Sequence, residues 1–242
     1  MATPCYIVLG DSMSIDLYPC LDLQGRGRIG VGDAPGLGAA SLFHRNLADF
    51  WPDFDGRDLE TREPGIEKLD LCGVGATIGH TATLQLPRVP PQARDGARVV
   101  TVTAGGNDLL AGLYHGLDGL PGALRDAIER YHELVGAVAE QFPSATLILT
   151  TVYDPTDGTD ELPGVSEQLG ALPMELLETF NDLVRDLAHN TPGARLADVH
   201  RHFIGHGLTA PAEDRWYWDV SPIEPAARGA SEIRRLWLEA LE

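Results

Sequence analysis

Short apolar runs that end in glycine or aspartate set the strongest limit on how this chain can fold. The first run, CYIVL at 5–9, is followed by Gly10, and the run at 97–104 is followed by Gly105 and Gly106. A strand that is apolar throughout is typical of a parallel sheet buried on both faces. The strands predicted in this way, two of them weaker, are 5–9, 68–72, 97–104, 145–152 and 194–199.

Longer stretches with apolar residues at helical spacing separate these runs. Pro143 ends the second of them, and Pro225 suits the first turn of the last. The predicted helices are 37–50, 120–142, 172–188 and 225–241. Alternating strands and helices predict an α/β fold. No linker or internal repeat interrupts the series, so we expect one domain over 1–242.

The charge of the chain limits its partners. Asp and Glu number 36 against 18 Lys and Arg, a formal net charge of −18, and the basic residues are scattered. Such a surface repels phosphate backbones and anionic lipid, so nucleic acid and membranes are not expected partners. The N-terminal segment has neither a basic region nor a long apolar one, which predicts a cytoplasmic protein without a signal peptide.

Two further features concern loops and cysteines. The loops at 51–66 and 153–171 are long for this architecture, and such loops often act as lids or specificity loops. Cys5, Cys20 and Cys72 have no metal-like or redox-like spacing, so we interpret them as small buried apolar residues. Neither a metal nor a cofactor is expected, because the chain has no His/Asp cluster, P-loop or dinucleotide-binding fingerprint.

The residues that follow three of the strands carry the functional signal. Gly10-Asp11-Ser12 follows the first strand, 73–77 (GVGAT) follows the second, and Gly105-Gly106-Asn107-Asp108 follows the third. Ligands of open α/β sheets bind at the carboxyl ends of the strands, so these residues should share one rim. A hydroxyl, a glycine-rich turn and an amide there offer a nucleophile and two donors for an oxyanion.

In this order, the three segments resemble the conserved blocks of the SGNH (GDSL-type) hydrolase superfamily. The resemblance runs from residue 5 to the C-terminus and implies a flavodoxin-like three-layer αβα sandwich with a five-stranded parallel sheet. It assigns the nucleophile to Ser12, an oxyanion-binding backbone N–H to Gly75 and an oxyanion-binding amide to Asn107. The second block corresponds to 69–87 (LDLCGVGATIGHTATLQLP).

The chain departs from the superfamily in its last block, where Asp-x-x-His-Pro is expected. Here the sequence is Ser221-Pro222-Ile223-Glu224-Pro225, which places Glu224 at the histidine position and Ser221 at the aspartate position. Asp219 is two residues out of register. The usual Ser-His-Asp triad therefore does not carry over.

Two residues compete for the role of general base. Glu224 qualifies if apolar surroundings raise its pKa. His206, between two glycines on the loop before the last helix, has a better matched pKa, and Glu224 could then orient it. His80 and His115 could line the same cleft.

The expected function is that of a serine ester hydrolase working through an acyl-enzyme, on a small carboxyl ester or an acylated sugar. Two alternatives stay open: a binding protein of the same fold with impaired catalysis, and an acyltransferase that uses the same serine.

Overall fold

The structure is a computed structural model that describes residues 2–113 and 116–242. Five parallel strands form one sheet in the order β2-β1-β3-β4-β5. The strands are β1 (Cys5–Gly10), β2 (Glu67–Asp70), β3 (Ala97–Thr103), β4 (Thr146–Thr150) and β5 (Ala194–Ala197). This is the flavodoxin-like strand order, and it confirms the predicted sheet.

Helices cover both faces of the sheet. They are α1 (Leu17–Gly25), α2 (Ala39–His44), α3 (Leu59–Arg62), α4 (Ile78–His80), α5 (Pro91–Gly96), α6 (Gly106–Leu113), α7 (Leu120–Gln141), α8 (Ser166–Leu169), α9 (Met174–Asn190), α10 (Val199–Phe203) and α11 (Ala227–Glu239). A two-stranded antiparallel hairpin, β6 (Tyr217–Trp218) and β7 (Ser221–Pro225), precedes α11. No helix in the described ranges is both long enough and apolar enough to cross a membrane.

Alternate residues of the central strands enter two separate cores. Ile7 and Leu9 of β1 pack with residues of α7 and α9 on one face, while Tyr6 and Val8 pack with residues of α2 and α11 on the other. Both β1 and the second half of β3 are fully buried, as their apolar sequences predict.

Two predicted helices begin or end elsewhere. The helix predicted at 37–50 ends at His44, because the backbone N–H of Asn46 bonds to the buried carboxylate of Asp58 at 2.9 Å instead of continuing the helix. The helix predicted from Pro225 begins at Ala227, since Pro225 is paired with Tyr217 in the hairpin. The predicted helices at 120–142 and 172–188 correspond to α7 and α9.

Two side-chain amides extend the sheet beyond its strands. Gln85 accepts from the backbone N–H of Gly10 at 2.7 Å and donates to its carbonyl at 2.8 Å. Asn181 of α9 holds both backbone groups of Val152 in the same way, at 2.8 Å each. These paired bonds satisfy buried backbone groups where β1 and β4 end, and so hold the loops that follow.

The two long loops are anchored differently. Phe54 of the first loop is buried beneath the guanidinium of Arg234. In the second loop, the Asp157 carboxylate accepts backbone N–H groups of Gly205, Gly207 and Thr209. The second loop is thereby tied to the segment that contains His206. Cys5 and Cys20 are buried and Cys72 is half-buried, and all three are free thiols.

Candidate active site

Ser12 lies in the tight turn that follows β1. Gly10 has a φ of 129°, and a Cβ there would collide with the carbonyl oxygen of Thr103 on the neighbouring strand, so only glycine fits. The backbone N–H of Asp11 donates to that same carbonyl at 3.0 Å. The turn after β1 is thus bonded to the end of β3, with Ser12 at the carboxyl edge of the sheet.

Three hydrogen-bond donors near Ser12 are available to a ligand. Among the residues that the structure describes, neither the N–H of Ser12 nor that of Gly75 has an acceptor. The Nδ2 group of Asn107 donates one hydrogen to the carbonyl of Ala76 at 3.0 Å, which leaves its second hydrogen free. That bond joins the Gly75 turn to the start of α6, and the N–H of Gly73 donates to the carbonyl of Gly10 at 3.2 Å, so the structure brings together the segments of all three predicted donors.

Asp108 and Gly105 fix the segment around Asn107. The carboxylate of Asp108 accepts the backbone N–H of Ile78 at 2.9 Å and so ties α6 to α4. Gly105 has a φ of 118°, and a Cβ there would collide with the ring of Phe180. This residue must be glycine if α6 is to start directly against α9.

Glu224 faces Ser12 from β7. Burial raises the pKa of Glu224, while the hydroxyls of Ser12 and Tyr18, which interact with its carboxylate, lower that pKa to a smaller extent. Neither hydroxyl has the geometry of a regular hydrogen bond, and Oε2 is buried without a partner in the described chain. Catalytic hydrogen bonds are often long in ligand-free sites. The Tyr153 hydroxyl donates to the neighbouring carbonyl of Ile223 at 2.8 Å and holds this strand in place.

Tyr18 is a site residue that the sequence did not reveal. It lies on α1 six residues after Ser12, and its ring packs on Trp218 of the hairpin with centroids 5.6 Å apart. Burial and the neighbouring Glu224 carboxylate both raise the pKa of the Tyr18 phenol. A tyrosine in the first turns of a helix carries no recognisable signal, because only the folded hairpin brings it to Glu224.

His206 is placed away from Ser12. Its ring stacks on Trp216 with centroids 3.7 Å apart, and its Nδ1 is 3.1 Å from the carbonyl oxygen of Asp214. It does not line the cavity that contains Ser12 and Glu224. His80 forms a capping box with Thr77 at the start of α4, and it is also absent from that lining. His115 lies outside the described residues.

Two other carboxyl groups, those of Asp11 and Asp108, belong to the segments that surround Ser12 and Asn107. Asp11 is buried, and the loss of solvation raises its pKa to about 7, with Glu224 and Asp108 contributing through charge repulsion. Burial also raises the pKa of Asp108. The site is therefore short of positive charge and disfavours a further anion. Within residues 2–113 and 116–242, no three His, Cys, Asp or Glu side chains are grouped so that they could hold a metal ion.

A cavity opens from Ser12, Asn107 and Glu224 into an apolar interior. Counted out to its open mouth, this space measures about 910 Å³. Its apolar walls come from α6, from α9 and from the long loop at 153–171 with the residues just after it. The leucines of these walls include Leu109, Leu110, Leu113, Leu162, Leu172 and Leu177.

This arrangement can support acyl transfer. It presents a hydroxyl, a carboxylate with a raised pKa and the Asn107 amide in a largely apolar cavity, and the turns of Ser12 and Gly75 add two free backbone N–H groups. Together they offer a nucleophile, a proton acceptor and stabilisation for a developing oxyanion.

Comparison with solved structures identifies proteins of the same fold. An extracellular lipase from Streptomyces rimosus superposes with a TM-score of 0.63 at 19% identity, covering 98% of this chain and 99% of that one. A phospholipase A1 from Streptomyces albidoflavus has a TM-score of 0.59 at 18% identity, with coverages of 99% and 98%. An acetylxylan esterase from Geobacillus stearothermophilus has a TM-score of 0.60 at 16% identity, with coverages of 99% and 94%. At such identities these similarities establish the fold.

Sequence comparison gives the family. No curated protein matches the chain. Residues 29–230, however, match the GDSL-like Lipase/Acylhydrolase family. This match begins after Ser12, so the placement of the turn that contains Ser12 rests on the structure. The chain belongs to the GDSL-like lipase/acylhydrolase family and is a hydrolase that acts on ester bonds.

Proposed function

We propose that this protein is a serine ester hydrolase in which Ser12 is the nucleophile and Glu224, instead of a histidine, is the general base. The observation that carries the proposal is the position of the Glu224 carboxylate. It is buried beside the Ser12 hydroxyl, in the same cavity, with one oxygen unpartnered in the described chain. A small carboxyl ester or an acylated sugar fits this chemistry.

In the first half-reaction, Ser12 Oγ attacks the ester carbonyl carbon while its proton passes to Glu224. The carbonyl electron pair moves to oxygen, where the N–H groups of Ser12 and Gly75 and the amide of Asn107 stabilise the negative charge. Collapse of this intermediate breaks the bond to the alcohol oxygen, which takes the proton back from Glu224. The acyl group is then bound to Ser12 as an ester.

In the second half-reaction, water replaces the alcohol. Glu224 takes a proton from the water, whose oxygen attacks the acyl carbon, and the same donors stabilise the second oxyanion. Ser12 leaves with the proton returned from Glu224, and the free acid is released.

The environment of Glu224 suits it to this role. An exposed glutamate has a pKa near 4.3 and is a weak base towards a hydroxyl. Burial raises the pKa of Glu224, so its carboxylate is a stronger base than that of an exposed glutamate. It is ionised, and able to accept a proton, at a pH above this raised pKa. A histidine base is not needed if this shift is sufficient, and His206 is engaged with Trp216 instead.

A covalent probe tests the nucleophile. We expect a fluorophosphonate to label the wild-type protein at Ser12, as located by peptide mass spectrometry, and not to label Ser12→Ala. Ser14→Ala is the matched control, because Ser14 is the other hydroxyl of the same turn and bonds to Thr103 at 3.0 Å; it should still be labelled.

The outcomes separate the alternatives. Absence of labelling in the wild type, together with absence of ester turnover, would contradict the proposal and favour a binding protein of this fold. Labelling combined with turnover that requires an alcohol or amine acceptor, and not water, would indicate an acyltransferase.

A further inference from the structure

The part of the cavity lined by Leu110, Leu113, Leu162 and Leu172 is called the apolar arm. We infer that this apolar arm binds the acyl part of the ester as an unbranched aliphatic chain of about eight carbons. The inference rests on the proposed function, since it takes Ser12 as the nucleophile. It specifies the length and polarity of the acyl group, which neither the resemblance nor the family membership determines.

The lining of the arm is the first observation. Leu110 and Leu113 follow Asn107 at intervals of three residues along α6, so these three side chains lie along one face of the helix. Leu162, from the long loop, and Leu172, just after it, line the same cavity. Leu110 and Leu113 remain half-buried although they belong to a helix packed against α7, because they face the cavity. An apolar ligand would complete their burial.

The polar groups of the cavity are the second observation. Ser12, Asn107 and Glu224 line the same cavity, and the ester group must lie between them if Ser12 attacks it. Because Glu224 returns the proton to the leaving alcohol, the alcohol oxygen must be next to Glu224 on β7. The acyl group must then extend away from that side, past Asn107 and along α6. The apolar arm therefore corresponds to the acyl chain and not to the alcohol.

The length of α6 sets the length of the chain. Asn107 and Leu113 are six residues apart, which is about 9 Å along a helix at 1.5 Å per residue. A fully extended chain advances about 1.2 Å per bond. An arm of this length holds about seven or eight bonds, the extent of an octanoyl group.

The acidic surroundings are consistent with a neutral ligand. Asp11 and Glu224 line the cavity, and Asp108 acts on Asp11 through charge repulsion, so a substrate with an anionic group next to its ester would be repelled there. A hydrocarbon chain carries no such penalty, and each methylene that it buries contributes favourably.

Two series of esters test the inference. The first series keeps p-nitrophenol and lengthens the acyl group from acetyl to dodecanoyl; the second keeps acetyl and lengthens the alcohol. In the first, we expect kcat/KM to rise up to about fourfold per added methylene and to level off near octanoyl. In the second, we expect little dependence on length.

Substitutions on α6 locate the arm. Leu110→Trp fills it early, so the ratio of octanoyl to acetyl kcat/KM should fall at least about tenfold. Leu113 lies about 4.5 Å farther along the helix than Leu110. The chain that Leu113→Trp prefers should therefore be about four carbons longer than the chain that Leu110→Trp prefers. Ala111→Trp is the matched control, because Ala111 is exposed on the same helix and is absent from the cavity lining; its profile should equal that of the wild type.

The possible failures are distinguishable. If acetyl is the best substrate and the profile is flat or falling, or if chain length matters only on the alcohol side, the inference is wrong while Ser12 catalysis stands. Equal effects of Leu110→Trp and Ala111→Trp on the ratio would also overturn it. If no ester is hydrolysed and the fluorophosphonate does not label Ser12, the proposed function itself has failed.

Discussion

The two sides of the candidate active site are held in place in different ways. On the side of the sheet, Gly10 is fixed by Gln85 at 2.7 and 2.8 Å, Asp11 bonds to Thr103 at 3.0 Å, and Asn107 bonds to Ala76 at 3.0 Å. On the side of the hairpin, Glu224 has no regular hydrogen bond in the described chain. Its strand is held through the two neighbours of Glu224: Ile223 accepts the Tyr153 hydroxyl, and Pro225 pairs with Tyr217 of the hairpin.

The difference indicates which parts of the site tolerate change. Backbone donors must be aimed at one oxygen, so the turns after β1, β2 and β3 are constrained by the sheet itself. A proton acceptor only has to reach the nucleophile, and a two-stranded hairpin at the edge of the fold can present either a histidine or a carboxylate. The replacement of the expected histidine by Glu224 is compatible with an otherwise intact site.

Removal of the charge of Glu224 should have the largest effect on the hairpin side. Glu224→Gln keeps the shape of the side chain but accepts no proton, so we expect kcat/KM to fall by about 10²–10⁴-fold. Steady-state kinetics with a p-nitrophenyl ester measure this fall in kcat/KM. His206→Ala is the comparison, and we expect it to stay within a few-fold of the wild type. A large loss in His206→Ala with little change in Glu224→Gln would reverse the assignment.

Asn107→Ala tests the side of the sheet. It removes one oxyanion donor, so kcat should fall by about 10²–10³-fold. It also removes the bond to Ala76, and a thermal melt therefore accompanies the kinetics. A large drop in kcat with a small shift in melting temperature supports donation to the oxyanion. Turnover close to that of the wild type would exclude Asn107 from the site.

Tyr18→Phe should change the pH dependence more than the rate. Its hydroxyl lowers the pKa of Glu224, so its removal raises that pKa further, and the acid limb of kcat/KM should move to higher pH. At a pH above the Glu224 pKa of both the wild type and the variant, kcat/KM should stay within a few-fold of the wild type. If the rate falls equally at every pH while the limb stays in place, Tyr18 only supports the packing of the hairpin.

Asp11→Asn should have a smaller effect, and on stability. Burial raises the pKa of Asp11 from 3.8 to about 7, so the folded state holds this proton more tightly than the unfolded state does. The contribution of protonated Asp11 to the free energy of unfolding is therefore complete below about pH 4, and it is lost as the pH rises through 7. We expect the melting temperature of Asp11→Asn to depend less on pH over this range. Asp49→Asn, at an exposed carboxylate, should follow the wild type.

Much of the fold and half of the site could be predicted from the sequence. Continuous apolar runs placed β1 and β3, and the segments after them supplied Ser12 and Asn107, because a strand end and its following turn are adjacent in the chain. The predicted helix boundaries at residues 50 and 225 were wrong, because Asp58 binds the backbone of Asn46 and Tyr217 pairs with Pro225.

The base side of the site depended on contacts that the sequence does not display. Glu224 and His206 were equal candidates as residues of one loop region, and only the folded hairpin turns Glu224 towards Ser12 while Trp216 stacks on His206. Tyr18 and the apolar arm lay wholly beyond prediction, because α1, α6 and α9 meet the hairpin and the long loop only in the folded protein. Local order along the chain determined the sheet and the segments that carry Ser12 and Asn107. Packing between distant segments decided that Glu224 faces Ser12, and it decided the shape of the cavity.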